Sequence, residues 1–535
     1  MAEQHGILDK AARDFTVGLM KYVDCGGYGS AAERVSASYV KVGNRFLDVW
    51  AKSVVSVGGV ATGLITTANN YSKAEAASHP AGSGRAVLYP TPQVIDSAPT
   101  YLRIIDLKWG DMDDLSDSMT SWILEGVPNW ALDTLRKALH HVFRWGKAAD
   151  VLPQPDYLQI DKIALAWLQP GFILTQVDGT LTGAVNSITD QNNGEWQAAM
   201  RRFTSSLWGT AHWGKSTAGY EWQHDTPSGA VGGSHPVMAV LWDTTQQVSK
   251  TMREFAEAAE EMVRDVHRIY RQAAFEALPN IKDGVGMDDL KQLGKGLLKM
   301  GRNLGIGITL NIDTAALNAE VSKYEGRLNA LASRLDALLP PLDEAYAQAP
   351  TYQAEVARAQ GFGARSLNEF KEQPLYTVPG EDKDNHFYAV DLANQEGVHG
   401  SHVIDKHVGQ TDAQLLNRLR DQPTITAAST FLNLATAQKA TQDAMDEIGP
   451  SPGDPASAGN PNAGVNNPQK IQNWLSRPRT DHSVLPLDVV RFDYVTGRTV
   501  PAGSTAASDT YSVKVVLKYK NGIDPPYVVY TSMPS

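Results

Sequence analysis

The sequence predicts a multidomain chain whose N-terminal two-thirds is mainly α-helical, built from helical hairpins and a bundle, and whose C-terminal quarter is an α+β domain with an antiparallel sheet. Three observations predict this. A length of 535 residues exceeds what one hydrophobic core organises and leaves room for three or more domains. Val248, Met252, Phe255, Ala259, Met262, Val266, Ile269 and Ala273 recur at spacings of four and three, as do Leu317, Val321, Tyr324, Leu328, Leu331, Leu335 and Leu338. That is the seam of one helix packed on another. Far downstream, Tyr511, Val513, Val515 and Leu517 alternate with mostly polar neighbours, the period of a half-buried strand, and Asn521-Gly522 supplies a turn before Tyr527 to Thr531.

Taken in order, Ser30-Ala-Ala-Glu33 is a capping box after the Gly26-Gly27 break, and Val35, Tyr39, Val42, Phe46 and Val49 give the helix that follows an apolar stripe. A shorter helix over Leu8–Val23 is its antiparallel partner, so residues 1–78 read as a hairpin. This hairpin resembles the small helical WxG-type substrates of actinobacterial type VII secretion, with Cys25-Gly-Gly-Tyr-Gly29 at the turn in place of the Trp motif. Tyr71 and Glu75 fit the Tyr-x-x-x-Asp/Glu export signal of such substrates. Residues 79–100 are rich in Pro, Ser and Gly and read as a linker. Residues 101–340 read as a helical bundle that Pro340-Pro341 stops, with Trp208-Gly209 and Trp213-Gly214 marking a second WxG-like hairpin and Gly301, Gly305 and Gly307 a turn. Residues 341–395 read as a connector.

Residues 396–535 form the last domain. Ser429 to Ile448 is expected to be helical, and Gly449 to Asn467, broken by Pro, Gly and Asn, to be a mobile insertion. Val54 to Ile65 is the most apolar run, Gly-rich and too short to span a bilayer, so stable membrane insertion is not expected. Residues 1–20 lack a basic start followed by an apolar core, which predicts secretion without a Sec-type signal peptide.

A formal net charge of −11 speaks against a protein that coats nucleic acid through a broad basic field. Residues 396–535 hold 12 Lys and Arg against 13 Asp and Glu, so a nuclease there would grip its substrate through local contacts. Cys25 is the only cysteine, which excludes an intrachain disulfide and a cysteine-based metal site. His399, His402 and His407 fit no common zinc spacing, and neither a phosphate-binding Gly-Lys-Ser/Thr loop nor a His-Glu-x-x-His motif is present.

The chemistry concentrates in Gly400-Ser-His-Val-Ile-Asp-Lys-His-Val-Gly409 and the helix Thr411 to Leu419. Thr411 or Asp412 is a suitable N-cap, and Leu415, Leu416 and Leu419 form the apolar face. Imidazoles near a fixed guanidinium make a phosphate site, because Arg offers a planar donor fork and His titrates near neutrality. His402 as a packed side chain, with Lys406 and Arg418 as solvated charges, is the competing reading of the same residues.

These two runs, with Ile425-Thr-Ala-Ala-Ser-Thr-Phe431, Ile471-Gln-Asn-Trp-Leu475, Gly497-Arg498 and Tyr527 to Pro534, resemble the bacterial ribonuclease A-like toxin domain found at the C-termini of contact-dependent growth inhibition proteins and other polymorphic toxins. The resemblance implies an α+β ribonuclease A-like fold that cleaves RNA, tRNA among the candidates, by attack of the 2′-hydroxyl, with no cofactor and no metal. It implies an active site of His407, Arg418 and Thr531, and places Met533 where the family carries a Tyr. His402 and Lys406 are the supporting candidates for a second proton-transfer group. It also implies a cognate immunity protein and action in a target cell's cytoplasm, while the WxG-like resemblance of residues 1–78 implies export through type VII machinery or with a helical partner. Two other readings compete: a helical secretion-associated scaffold with a decayed nuclease domain, and a metal-dependent DNase toxin.

Overall fold

The computed structural model describes residues 1–78, 85–107, 120–142, 154–188, 199–200, 202–208, 236–278, 310–367 and 389–535. Helix α1 (Ala2–Leu19) lies against α2 (Ser30–Ser78), and the Trp50 indole on α2 donates to the Leu8 carbonyl at 2.9 Å. The first bond of α2 runs from the Glu33 N–H to the Gly29 carbonyl. Gly29 therefore stands at the cap and Ser30 is already helical, one place beyond the expected box.

Among the described residues, α3 (Asn129–Val142), α4 (Tyr157–Ala166), α5 (Leu168–Ser187), α6 (Val237–Glu276), α7 (Thr314–Asp336) and α8 (Leu339–Gln348) follow. Asp156 and Asp313 cap α4 and α7 by accepting from backbone N–H groups of the first turn. The two predicted seams face each other. Val248, Met252, Phe255, Ala259, Met262, Val266 and Ala273 of α6 are buried, as are Leu317, Val321, Tyr324, Leu328, Leu331 and Leu335 of α7, while Ile269 and Leu338 sit at the edge of the same core. Each larger apolar side chain buried this way contributes about 1.5–3 kcal/mol. Phe15, Phe46 and Trp167 join in edge contacts at 4.9 and 5.1 Å, so the N-terminal hairpin and the later helices share one core.

Three expectations change here. The described part of the predicted linker, with the residues after it, is extended chain bound along α2. Asn69 exchanges hydrogen bonds with Tyr89 (2.7 and 2.8 Å), Asn44 with Ile104 (2.9 and 3.0 Å), and Ser36 accepts from the Leu107 N–H. The apolar run at Val54–Ile65, expected to be too short to span a bilayer, is part of the longer α2, which is, among the described residues, the one helix long and apolar enough to cross a membrane. Most of its apolar window is buried inside the protein. The predicted connector contributes, in its described part, α8 and α9 (Tyr352–Leu367), both packed on α2. Of the second WxG-like hairpin, Trp208 is buried against Phe203, while Gly209, Trp213 and Gly214 lie outside the described residues, as do Gly301, Gly305 and Gly307.

The C-terminal region is α+β. It opens with α10 (Leu392–Gln395), α11 (Val403–His407) and α12 (Asp412–Asp421), followed by β1 (Ala427–Phe431), α13 (Leu434–Asp446) and α14 (Asn467–Leu475). The strands β2 (Val484–Pro486), β3 (Val490–Arg491), β4 (Gly497–Pro501), β5 (Ser508–Thr510), β6 (Ser512–Tyr519) and β7 (Tyr527–Pro534) complete it. Two antiparallel sheets result. One has the order β1-β4-β5; in the other β6 is central, with β7 on one side and β2 then β3 along the other. Val513, Val515 and Leu517 alternate into a core shared with Phe431, Ala437, Ala440 and Val529.

Two further corrections belong to this region. Ser429 to Phe431 is strand, not helix: the β-branched and aromatic run pairs with Gly497–Thr499, and the helix starts only after Asn433 caps it. The loop from 449 to 466 is closed at its neck, where Gly449 N–H bonds the Val465 carbonyl, Gly464 N–H the Pro450 carbonyl and Asn467 N–H the Glu447 carbonyl. Asn462 pins it further to the backbone of Arg491.

Candidate active site

Helix α11 is five residues long and cannot stand alone, so its surroundings place its histidines. Gly397 at φ 77°, Gly400 at φ 86° and His399 at φ 47° fold the chain back ahead of it. The Glu396 carboxylate accepts from the Ile404 and Asp405 N–H groups at 2.8 and 3.1 Å, satisfying donors of the first turn. Burial pushes that carboxyl up to about 8. The Ser401 hydroxyl donates to the Val529 carbonyl and the His402 N–H to the Tyr530 carbonyl, which ties the segment to β7.

His407 ends α11 and is 3% exposed. Its Nδ1 lies 3.0 Å from the Ser429 carbonyl of β1. A carbonyl only accepts, so Nδ1 carries the proton and Nε2 keeps its lone pair. Burial, with the charge of Arg418 adding to it, lowers the imidazole to about 3. His407 is therefore a neutral, oriented imidazole.

Arg418 comes from α12, which Thr411 and Gln414 start with a reciprocal capping box and which Leu415 anchors against Ala428 and Val500. Its Nη1 donates to the Lys406 carbonyl at 3.0 Å, while its Nε is buried without a partner. Desolvation lowers Arg418 from its usual value, although the group stays cationic. His402 lies with its ring 6.5 Å from that of His407 and edge-on to Tyr530 at 4.8 Å; its Nδ1 meets the Gly400 carbonyl at 2.9 Å. Desolvation lowers His402 as well. Lys406 is exposed at the rim.

Thr531 sits on β7 immediately after a bulge. Val516 faces Thr531 and Leu517 faces Val529, which leaves Tyr530 as the extra residue. Thr531 and Met533 then project to the face opposite the core side chains Val513, Val515 and Leu517. Among the described residues the buried Thr531 hydroxyl has no hydrogen-bond partner. Met533 is half-buried and supplies no hydroxyl. The structure thus brings His402, Lys406, His407 and Arg418 together, with Thr531 on the strand that holds His402. Tyr71 and Glu75 stand apart, near the end of α2.

Two residues that shape the site were not singled out from the sequence: Glu396, which seats α11, and Tyr530, which meets His402 through both its ring and its carbonyl. Among the described residues no cluster of three metal-ligating side chains occurs.

Residues 401–534 match the family model described as the bacterial CdiA-CT RNAse A domain. The C-terminal region carries this domain. His407, Arg418 and Thr531 all fall inside the matched span. The crystal structure of a CdiA-CT/CdiI complex from Y. kristensenii 33638 is similar at 26% sequence identity, over 25% of this chain and 99% of that one, with a TM-score of 0.20. A search of curated proteins finds no match to the chain.

Proposed function

We propose that the chain is a secreted polymorphic toxin whose CdiA-CT RNase A domain cleaves RNA in a target cell without a metal ion. The observation that carries the reading is His407, a buried imidazole with one nitrogen fixed on the Ser429 carbonyl and the other keeping its lone pair, beside a guanidinium tied to the same helix. In this mechanism His407 Nε2 takes the 2′-hydroxyl proton, the 2′-oxygen attacks phosphorus, and the 5′-oxygen leaves with a proton, giving a 2′,3′-cyclic phosphate. General-base help of this kind is worth about 10²–10⁴-fold. Arg418 stabilises the charge that builds on the phosphorane, and the Thr531 hydroxyl donates to one of its oxygens. His402 and Lys406 are the groups placed to return a proton to the leaving oxygen. Met533 contributes no hydrogen bond, so the load falls on Arg418 and Thr531.

A cognate immunity protein that covers this site in the producing cell belongs to the same proposal. So does export through type VII machinery, for which Tyr71 and Glu75 at the end of the helical hairpin are the candidate signal. The test is incubation of the full chain with total RNA in EDTA, beside His407→Ala and Arg418→Ala. Cleavage ending in cyclic phosphates by the wild type, lost at least 100-fold in both variants, is the expected result. Equal cleavage by all three would overturn the assignment. A folded wild type inert on RNA, but active on DNA when a divalent metal is restored, would replace it with the DNase reading.

A further inference from the structure

The half-buried imidazole of His402 is held on three sides. Its Nδ1 lies 2.9 Å from the Gly400 carbonyl, its backbone N–H donates to the Tyr530 carbonyl at 3.2 Å, and its ring meets the Tyr530 ring edge-on at 4.8 Å. A carbonyl only accepts, so Nδ1 keeps its proton whether the ring is neutral or charged. Nε2 is the nitrogen left to gain and lose one.

Tyr530 is held in its turn. It is the extra residue of the β7 bulge. Lys518 follows the core residue Leu517 on β6 and so points to the opposite face. There its ammonium stands 5.2 Å over the Tyr530 ring and donates to the His399 carbonyl at 3.0 Å. Tyr530 therefore lies on the sheet face that carries Thr531. A Cβ on Gly400 would sit 3.5 Å from Tyr530 Cε2 and 3.9 Å from Lys518 Nζ, so the turn that carries His402 rests on both. His399, at φ 47°, is among the described residues the one other than glycine at positive φ. Such a conformation persists only where the surroundings over-determine it, and it clusters at functional sites.

His402 and His407 have ring centres 6.5 Å apart and planes tilted by 33°. Each has one nitrogen fixed on a backbone carbonyl, which aims the other. Lys406, the other candidate, is exposed, and among the described residues no contact fixes its ammonium. A proton donor works only as far as it is held in line with the leaving atom. We propose that His402 is the acid that protonates the leaving 5′-oxygen, and that Tyr530 is the residue that positions it. The proposal rests on the ribonuclease reading. His407 Nε2 takes the 2′-hydroxyl proton, the 2′-oxygen bonds phosphorus as the bond to the 5′-oxygen breaks, and His402 Nε2 gives its proton to that oxygen. One imidazole gains the proton that the other loses. Desolvation lowers the His402 ring, which makes its charged form a stronger acid.

The test gives the full chain two substrates that share the attacking 2′-hydroxyl. One is a dinucleotide, whose 5′-alkoxide needs a proton to leave. The other is a nucleoside 3′-(4-nitrophenyl phosphate), whose phenolate leaves without one. His402→Ala should lower kcat/KM about 100-fold or more for the dinucleotide and about threefold or less for the ester. Turnover of the ester also reports that the site is still folded. Tyr530→Ala should show the same selectivity at about tenfold, and Tyr530→Phe, which keeps the ring, should return the wild-type ratio. Equal losses on both substrates in His402→Ala overturn the assignment, because they show a role in binding or in the fold. Selective loss in Lys406→Ala with none in His402→Ala overturns it and gives the acid to Lys406. Selective loss in Tyr530→Phe as large as in Tyr530→Ala overturns the positioning role, because the hydroxyl would then be the acting group. A wild type that turns over neither substrate removes the ribonuclease reading, and this assignment with it.

Discussion

Acid should open the catalytic segment through His407. The imidazole is buried neutral in the folded chain at about 3, against about 6.5 in an unfolded segment. The folded value is the lower one, so the unfolded form binds more protons between these limits. The stability tied to the neutral ring is complete above pH 6.5 and is lost as pH falls toward 3. At pH 5 the gap already traversed is about 1.5 units, or about 2 kcal/mol, which is about a 30-fold rise in the local opening constant. The reporters are the Val408 and Gly409 amides, bonded to the Ile404 and Phe431 carbonyls at 3.2 and 3.0 Å. Protection factors from hydrogen exchange read by mass spectrometry, corrected for intrinsic rates, should fall about 15-fold between pH 6.5 and 5, because the unfolded ring is already half protonated at pH 6.5. His407→Asn keeps a donor for the Ser429 carbonyl and removes the titration, so its protection should stay level. Wild type and variant falling together, within threefold, would refute the argument and assign the loss to other groups.

Thr531→Val should cut RNA cleavage about tenfold while leaving the chain as stable or about 1 kcal/mol more so, because the buried hydroxyl has no partner to lose; paired kinetics and thermal unfolding check this. Gly63→Leu on α2 should cost about 1–3 kcal/mol or more in thermal unfolding, since even a Cβ there would lie 2.4 Å from the Val356 carbonyl and 2.7 Å from the Ala359 Cβ. The same variant should lose RNA cleavage, because α9 carries the groups that hold Gly409.

Much of this was legible in the residues. The seams of α6 and α7 were written in their four-three spacing, and Thr411, one of two candidate N-caps, marks the start of α12. His407 and Arg418 were singled out through the family resemblance, and short helix, turn and helix bring them near one another. What was not legible depends on distant partners. Ser429 to Phe431 could join a following helix by its own pattern, and only pairing with Gly497–Thr499 makes it a strand. Glu396 precedes a glycine and carries no motif; its role appears once the amides of Ile404 and Asp405 turn toward it. The stretch before Leu107 has the composition of a linker, yet Asn44, Asn69 and Ser36 supply its missing hydrogen bonds. No periodicity reports bonds of that kind.

The helical region is therefore packed into the CdiA-CT RNase A domain rather than merely joined to it. The family match begins at residue 401, but the packing that positions His407 begins at Thr351. The Thr351 hydroxyl donates to the Gly409 carbonyl at 2.6 Å, and Gln414 of the capping box donates to the Gln348 carbonyl at 3.0 Å. Gly409, at φ 68°, lets the Ala354 backbone approach to 2.5 Å from where a Cβ would stand, so α9 abuts the turn between His407 and α12. Ala357 belongs to the core of the C-terminal region, and Ala359 and Phe362 of the same helix belong to the core around α2. A single helix thus buries side chains in both cores, and displacing it from α2 pulls on the turn that separates the base from the guanidinium. Any cut that separates α9 from the C-terminal region removes Thr351 and Ala354 from Gly409. The released domain would then have to hold His407 through Glu396, Ser429 and Tyr530 alone.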